Sequence, residues 1–303
     1  MVSLSIVIVN WNAGKYLSNC VYSIQNSDIG SYELNSVVIV DNASSDNSLE
    51  LLPQWEKLSI IKSGSNLGFG RACNLGASYA KSDLILFLNP DTLLMQNSLE
   101  QAINKFVEIS NVSQSGVLGL QLRYDTGEIQ KSCAKFFTLK SFICDSLGLS
   151  KFFLGTGIHQ VGFSHEESQY VDHVIGAFYL MKKDLFDSIG GFDEEYFVYF
   201  EDLDLSYRLN KLGYKSYFYA GASIMHVGGG CSQQVKATRL FYVLDGKLIY
   251  VRKHFNFFSR MIATCVMLFI EPLTRVVFSA LKGDLVGIKE TIAGYKLFYK
   301  RLF

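Results

Sequence analysis

Four short apolar runs, Leu4 to Val9, Val37 to Val40, Ser59 to Ile61 and Leu84 to Leu88, alternate with segments of helical pattern. That rhythm predicts βαβ units and an α/β fold: a Rossmann-type, mainly parallel sheet flanked by helices. Each run ends in polar residues, respectively Asn10-Trp11-Asn12, Asp41 to Asp46, Ser63 to Asn66 and Asn89-Pro90-Asp91. Parallel strands share a direction, so these ends line one edge of the sheet, which is where open α/β sheets bind ligands.

Further along, Val117 to Tyr124 reads as another strand. Residues 125 to 170 lack strong periodicity and contain Gly148, Gly155, Gly157 and Gly162. They read as a variable, partly looped binding region. Val174 to Met181, including Gly176 and Ala177, restores a strand. A helix from about Glu201 to Leu212 buries Leu205, Leu209 and Leu212 at helical spacing, with Gly213 as its cap.

The 303 residues are 49% hydrophobic, ample for a buried core. Basic and acidic residues both number 28, so no overall field argues for nucleic acid. Cys20, Cys73, Cys133, Cys144, Cys231 and Cys265 form no Cys-x-x-Cys pair, so neither a zinc site nor a disulfide framework is indicated. The chain opens almost directly on its first strand without a basic leader, and a cytoplasmic setting is expected.

Two carboxylate clusters stand where apolar runs stop: Asn89-Pro90-Asp91 and Glu201-Asp202-Leu203-Asp204. In the first, proline fixes the backbone between two oxygen-bearing side chains, an arrangement suited either to a divalent cation or to a plain turn. His226, between Ile224-Met225 and a glycine segment, either has a structural role or completes such a site, since Mn²⁺ accepts imidazole beside carboxylate oxygens. In the second cluster the acids occupy a first helical turn, favoured by the helix dipole, and the aromatic run Tyr196 to Phe200 is expected to wall them into a poorly solvated pocket. Asp204 can pair with Arg208 one turn on.

Asp41 is read as a contact to a nucleobase or ribose, and Asp46 as a helix cap. Asn66-Leu67-Gly68-Phe69-Gly70-Arg71 opens a helix whose amides, with Arg71, suit a phosphate or base edge, or else form a glycine turn with a surface arginine. Cys73 stands where a dinucleotide fingerprint needs its third glycine, which argues against hydride transfer.

These motifs together resemble glycosyltransferase family 2 of the GT-A fold, most closely its bacterial rhamnosyltransferase-like branch. The resemblance covers roughly residues 3 to 230 and rests on Ile8 to Asn12, Val40 to Asp46, Asn66 to Gly70, Phe87 to Asp91, Gly190 to Asp193, Glu201-Asp202 and His226. It implies a nucleotide-diphosphate sugar donor, Mg²⁺ or Mn²⁺, inversion at the anomeric carbon, and a glycan or lipid-linked saccharide as acceptor. Carried over by position, Asp41 contacts the nucleobase, Asp91 and His226 hold the metal, and Asp202 is the general base. Asn10, Asn66, Gly68, Arg71 and Asn89 are grouped around the nucleotide sugar; Glu201, Asp204, Gly176 and Ala177 are acceptor-side or supporting residues. Asn89 replaces the first Asp of the Asp-x-Asp found in many relatives, as is usual in this branch, and its metal contact stays open. The expected donor is dTDP-rhamnose. The alternatives are a UDP-hexose donor or a non-catalytic nucleotide-sugar-binding scaffold.

The expected division is a transferase domain over 1–230 and a helical extension over 231–303. In the extension, Met261 to Ile270 is an apolar run of about 10 residues, short of the roughly 20 needed to span a bilayer. Glu271-Pro272 is expected to interrupt it. Phe278, Leu281, Leu285, Ile288 and Ile292 then recur at near-helical spacing opposite several lysines. Such a segment is expected to lie on the inner face of a membrane, or to pack on the catalytic domain or a second copy of the chain.

Overall fold

The computed structural model describes residues 1–27, 30–149, 163–228 and 236–302. Gly155, Gly157, Gly162 and Cys231 lie outside the described residues. In chain order the elements are β1 (Val2–Asn10), α1 (Lys15–Gln25), β2 (Tyr32–Asp41), β3 (Leu58–Lys62), α2 (Phe69–Tyr79), β4 (Leu84–Leu88), β5 (Thr92–Leu94) and α3 (Ser98–Val112). There follow β6 (Ser115–Arg123), β7 (Ile129–Gln130), β8 (Cys133–Ala134), α4 (Leu139–Ser146), β9 (Gln169–Val171), β10 (His173–Val174), β11 (Phe178–Lys182), α5 (Lys183–Ser188), α6 (Glu201–Lys211) and β12 (Lys215–His226). The chain closes with α7 (Lys236–His254), α8 (Phe257–Cys265), α9 (Glu271–Leu281) and α10 (Leu285–Leu302).

These elements pack as two compact units. The first takes Met1–Ala134, Ser164–Glu194 and Asp202–Cys231; the second takes Lys135–Phe163, Glu195–Glu201 and Ser232–Phe303. A single boundary near 230 therefore captures the last segment of the second unit and leaves out its two earlier ones.

In the first unit the sheet order is β3-β2-β1-β4-β11-β6-β12-β5. Strands β3, β2, β1 and β4 run parallel, and so do β6 and β12, while β11 is antiparallel to β4 and β6, and β5 is antiparallel to β12. The chain moves outward from β1 to β3 and then returns to β4 on the other side of β1. This reversal makes the carboxyl ends of β1 and β4 a topological switch point, the usual ligand position in open α/β sheets. Leu4, Ile6, Val7 and Ile8 are all buried, because helices cover both faces of a parallel sheet. Helix α2 comes so close to the sheet that a Cβ at Gly76 would sit 2.4 Å from Val7 Cγ1.

Several local expectations differ from the structure. The run Val174 to Met181 is not one strand: it breaks at Ile175–Ala177, between β10 and β11, where the backbone turns to other partners. Leu212 is 60% exposed, because the helix ends at Lys211 and Gly213, at φ +89°, reverses the chain there. Asp46 leads into a single 3₁₀ turn, Ser48–Leu51, rather than a helix. β3 is an edge strand and leaves Ile60 exposed.

The second unit holds the remaining corrections. Glu271 and Pro272 do not interrupt the apolar segment: α8, a π-helical turn at Val266–Ile270 and α9 follow one another over the 25 residues from Phe257 to Leu281, within which a stretch of 18 residues has a mean hydropathy of 1.8. Pro272 falls in the first turn of α9, where its missing N–H costs little. The apolar series from Phe278 to Ile292 is split between α9 and α10 by a turn at Gly283, so it does not form one helical face. The aromatic run packs within this unit, Phe197 stacking on Tyr242 and Phe200 on Phe137.

Candidate active site

β1 and β2 end in register, with Asn10 beside Asp41. Both are buried, and Asn10 Nδ2 donates to Asp41 Oδ1 at 2.9 Å, with Ser48 Oγ at 2.8 Å and Ser44 Oγ at 3.0 Å. Asn12 Oδ1 accepts from the Ser45 N–H at 2.7 Å, so the loop after β2 is tied back to the loop after β1. Asp46 accepts from the Gly14 and Ser48 N–H groups and from the Ser48 hydroxyl. Burial would raise its carboxyl, but these hydrogen bonds outweigh it and hold the group below its usual range.

Asn42 was not singled out from the sequence, yet it joins this edge to the turn before α2. Its Oδ1 accepts from the Leu67 N–H at 2.8 Å, while its Nδ2 donates to Asn66 Oδ1 at 2.9 Å and to the Gly68 carbonyl at 3.0 Å. The signal was present as an amide directly after a strand-terminal aspartate. Arg71 is turned elsewhere: its Nε donates to the Glu194 carbonyl at 3.1 Å and lies 3.6 Å from the Glu194 carboxylate.

After β4 the chain leaves the sheet at Asn89-Pro90-Asp91. Thr92 Oγ1 donates to the Asn89 carbonyl at 2.7 Å, closing a tight turn. Cys20 packs below, 3.5 Å from Thr92 Oγ1, its thiol pushed up to about 12 by burial. β5 pairs with β12 so that His226 lies opposite Thr92, and His226 Nε2 comes 3.4 Å from Asp91 Oδ1. Both side chains are less than a tenth exposed. A carboxylate oxygen facing an imidazole nitrogen is a donor set that fits Mn²⁺ or Mg²⁺ with additional oxygens from a ligand. Asn89 faces the same nitrogen through its Nδ2, at 3.5 Å, and so presents a donor there rather than a ligating oxygen. On its other side, His226 Nδ1 lies 2.6 Å from Oε1 of Gln130, a residue the sequence reading passed over.

Asp202 is linked to this turn through two consecutive residues. The Asn89 N–H donates to the Ala177 carbonyl at 3.1 Å, and the Gly176 N–H donates to Asp202 Oδ2 at 2.8 Å. Behind the carboxylate, buried His173 places Nε2 3.7 Å from Oδ2 and Nδ1 3.1 Å from Ser206 Oγ, which in turn lies 2.9 Å from the Tyr179 hydroxyl. Burial holds the His173 imidazole below its usual value against the opposing pull of Asp202, and it pushes the Tyr179 hydroxyl up. Asp204 is fully buried and bonded to Arg208 Nε at 2.7 Å, as the helical spacing predicted; it supports the fold and cannot touch an acceptor. Arg208 also donates to the Ile189 and Gly191 carbonyls, so this pair fixes the glycine turn before α6. Glu201 is buried as well.

Residues 5–135 match the family model described as glycosyl transferase family 2. The N-acetylglucosaminyl-diphospho-decaprenol L-rhamnosyltransferase of Mycobacterium tuberculosis (strain H37Rv) is 26% identical over 74% of this chain and 75% of its own length. Rhamnosyltransferase WbbL of Escherichia coli (strain K12) is 29% identical over 73% of this chain and 82% of its own. Among solved structures, a mannosyltransferase from Pyrobaculum calidifontis in complex with GDP-Man and Mn²⁺ superposes with a TM-score of 0.57 at 14% identity, covering 97% of this chain and 79% of that one. At that identity the likeness speaks to the fold alone.

Proposed function

We propose that the chain is a glycosyltransferase of family 2 that moves rhamnose from dTDP-rhamnose onto a lipid-linked or cell-surface saccharide, with inversion. The observation that carries this reading is the backbone link between the two carboxylates. Ala177 holds the Asn89 turn that presents Asp91, and its neighbour Gly176 holds Asp202. A cation-binding carboxylate and a candidate base are thereby held by one short segment.

Asp41 would meet the nucleobase at the end of β2, its carboxylate held from the end of β1 by the buried Asn10 amide. Asp91 and His226 would hold Mg²⁺ or Mn²⁺, which when bound supplies Lewis-acid neutralisation of the departing diphosphate. Asp202 takes the proton of the acceptor hydroxyl as that oxygen forms its bond to the anomeric carbon; the bond from that carbon to the diphosphate breaks, and the nucleoside diphosphate leaves. The Gly176 N–H on Oδ2 and the Leu203 N–H on Oδ1, each at 2.8 Å, orient the Asp202 carboxylate.

The second unit supports membrane attachment. Along Phe257–Leu281 the exposed side chains are apolar, among them Phe258, Phe269, Leu273, Val277 and Leu281, while Ala263, Met267 and Glu271 point inward. We read this face as lying on the inner leaflet of a cell membrane, where an acceptor of lipid-linked type would be found.

A donor panel screened by thermal shift tests the reading. dTDP-rhamnose is expected to raise the melting temperature more than UDP-hexoses do, and only with Mn²⁺ or Mg²⁺ present, since a ligand of the folded state stabilises it. A UDP-hexose that wins by a wide margin removes the rhamnose assignment, and an undiminished shift in excess chelator removes the cation.

A further inference from the structure

We propose that Gln130 is a positioning residue for His226: it keeps the imidazole proton on Nδ1 and so leaves the Nε2 lone pair directed at Asp91. This rests on the reading of Asp91 and His226 as a cation-binding pair.

The argument begins with what a carboxamide can do. Its oxygen only accepts, so the 2.6 Å contact between Gln130 Oε1 and His226 Nδ1 requires a proton on Nδ1. In the neutral ring Nε2 is then an acceptor, and it lies 3.4 Å from Asp91 Oδ1 and 3.5 Å from the donating Asn89 Nδ2. Two acceptors facing each other at that distance gain nothing by themselves, whereas a cation between such groups would be bound by both. The reversed amide would leave Nδ1 as the acceptor and put the proton on Nε2, aimed at Asp91, which blocks that nitrogen for a metal. Ligating histidines are characteristically held by such a partner on their second nitrogen.

The surroundings place Gln130 beside the histidine and leave room for its side chain. Its backbone is paired to Leu122 in the short β6–β7 ladder. Its Nε2 side is accommodated by Gly228, whose φ is +72° and where an added Cβ would come within 2.8 Å of that nitrogen. The glycine two residues after the histidine thus leaves room for the amide that orients it.

The test has a readout in the metal-free protein. With ¹⁵N-labelled histidine at a pH of about 8, above the ordinary imidazole range, His226 of the intact chain is expected to show the Nδ1–H tautomer. Gln130→Ala should shift it toward a mixture with Nε2–H, and Gln130→Glu, which keeps the acceptor, should restore Nδ1–H. Titration with Mn²⁺ alone, followed by electron paramagnetic resonance, should show an affinity loss of roughly 10- to 100-fold in Gln130→Ala and recovery in Gln130→Glu. An Nε2–H tautomer in the unmodified protein overturns the proposal. So does unchanged Mn²⁺ affinity in Gln130→Ala when His226→Ala loses it. If His226→Ala itself binds Mn²⁺ as before, the underlying cation reading fails and the role assigned to Gln130 falls with it; the His226→Ala control separates the two failures.

Discussion

The carboxyl edge of the sheet and the helical second unit both bury charged groups, but they turn them in opposite senses. At the sheet edge, Asn10, Asp41, Asn89 and Asp91 stand where strands end and Asp202 lies in the first turn of α6, and the bonds that orient them come largely from neighbouring backbone and amide groups. In the second unit, Glu271 is 2% exposed and accepts from Lys247 Nζ at 3.2 Å and from Arg275 Nε and Nη2 at 2.9 and 2.8 Å, while the outer face of the same helix is apolar. The first arrangement brings polar chemistry to an opening in the sheet. The second places charge inside and apolar surface outside, the reverse of a helix packed on a core in water. The difference teaches that buried charge has two uses: at the carboxyl edge it stands where open α/β sheets bind ligands, and in the second unit it joins helices.

The largest effect expected from this contrast is at Asp202. Asp202→Asn keeps the shape and the Gly176 contact but cannot take a proton, so turnover should fall by about 10²–10⁴ with donor affinity nearly unchanged. Steady-state transfer rates beside equilibrium donor binding check it, and a matching loss of affinity would reassign Asp202 to the donor.

Glu271 should behave in the opposite way, with stability lost and chemistry kept. Burial alone would raise its carboxyl, but Lys247 and Arg275 together hold it below its usual range. Glu271→Gln leaves both cations facing a neutral group, and chemical denaturation should show a loss of about 3 kcal/mol, at the lower end for a broken buried pair. An unchanged midpoint would mean that the cluster is not under tension of that kind.

Lipid attachment is the next effect in size. The full-length chain should float with anionic liposomes, and the variant carrying both Phe269→Glu and Leu273→Glu should not, since charges on the exposed face oppose burial in the interface. Equal flotation of the two proteins dismisses the membrane reading of the tail.

The smallest effect is a pH dependence at His173. Its folded value is depressed by burial, so the unfolded chain binds the extra proton more readily. The resulting stabilisation is fully present above the unfolded value of about 6.5 and is lost as pH falls through it. His173→Gln should flatten that slope in denaturation midpoints taken between about pH 5 and 8.

Much of the first unit could be read in advance because local patterns encode it. The apolar runs became β1 to β4, their polar ends came to share one edge, and the spacing of Asp204 and Arg208 placed them on one helical face. The aromatic approach to α6 misled, because Phe197 and Phe200 are large apolar side chains that a core takes up as readily as a pocket does. Glu271-Pro272 misled for a related reason: a charge and a proline break an isolated apolar run, but a proline in a first turn and a glutamate between two cations do neither.

By itself, the sequence determined the α/β class, the strand-end positions of Asp41 and Asp91, and the family pattern that runs through them. Those features depend on periodicity and on residues close together in the chain. Tertiary structure alone decided that Gln130 meets His226 across 96 positions, that Asn42 holds the turn at Asn66 and Gly68, and that Gly176 and Ala177 join Asn89 to Asp202. The physical reason is that a hydrogen-bond partner across a sheet is chosen by strand order and register. Those are set when the whole sheet packs, and no local spacing carries them.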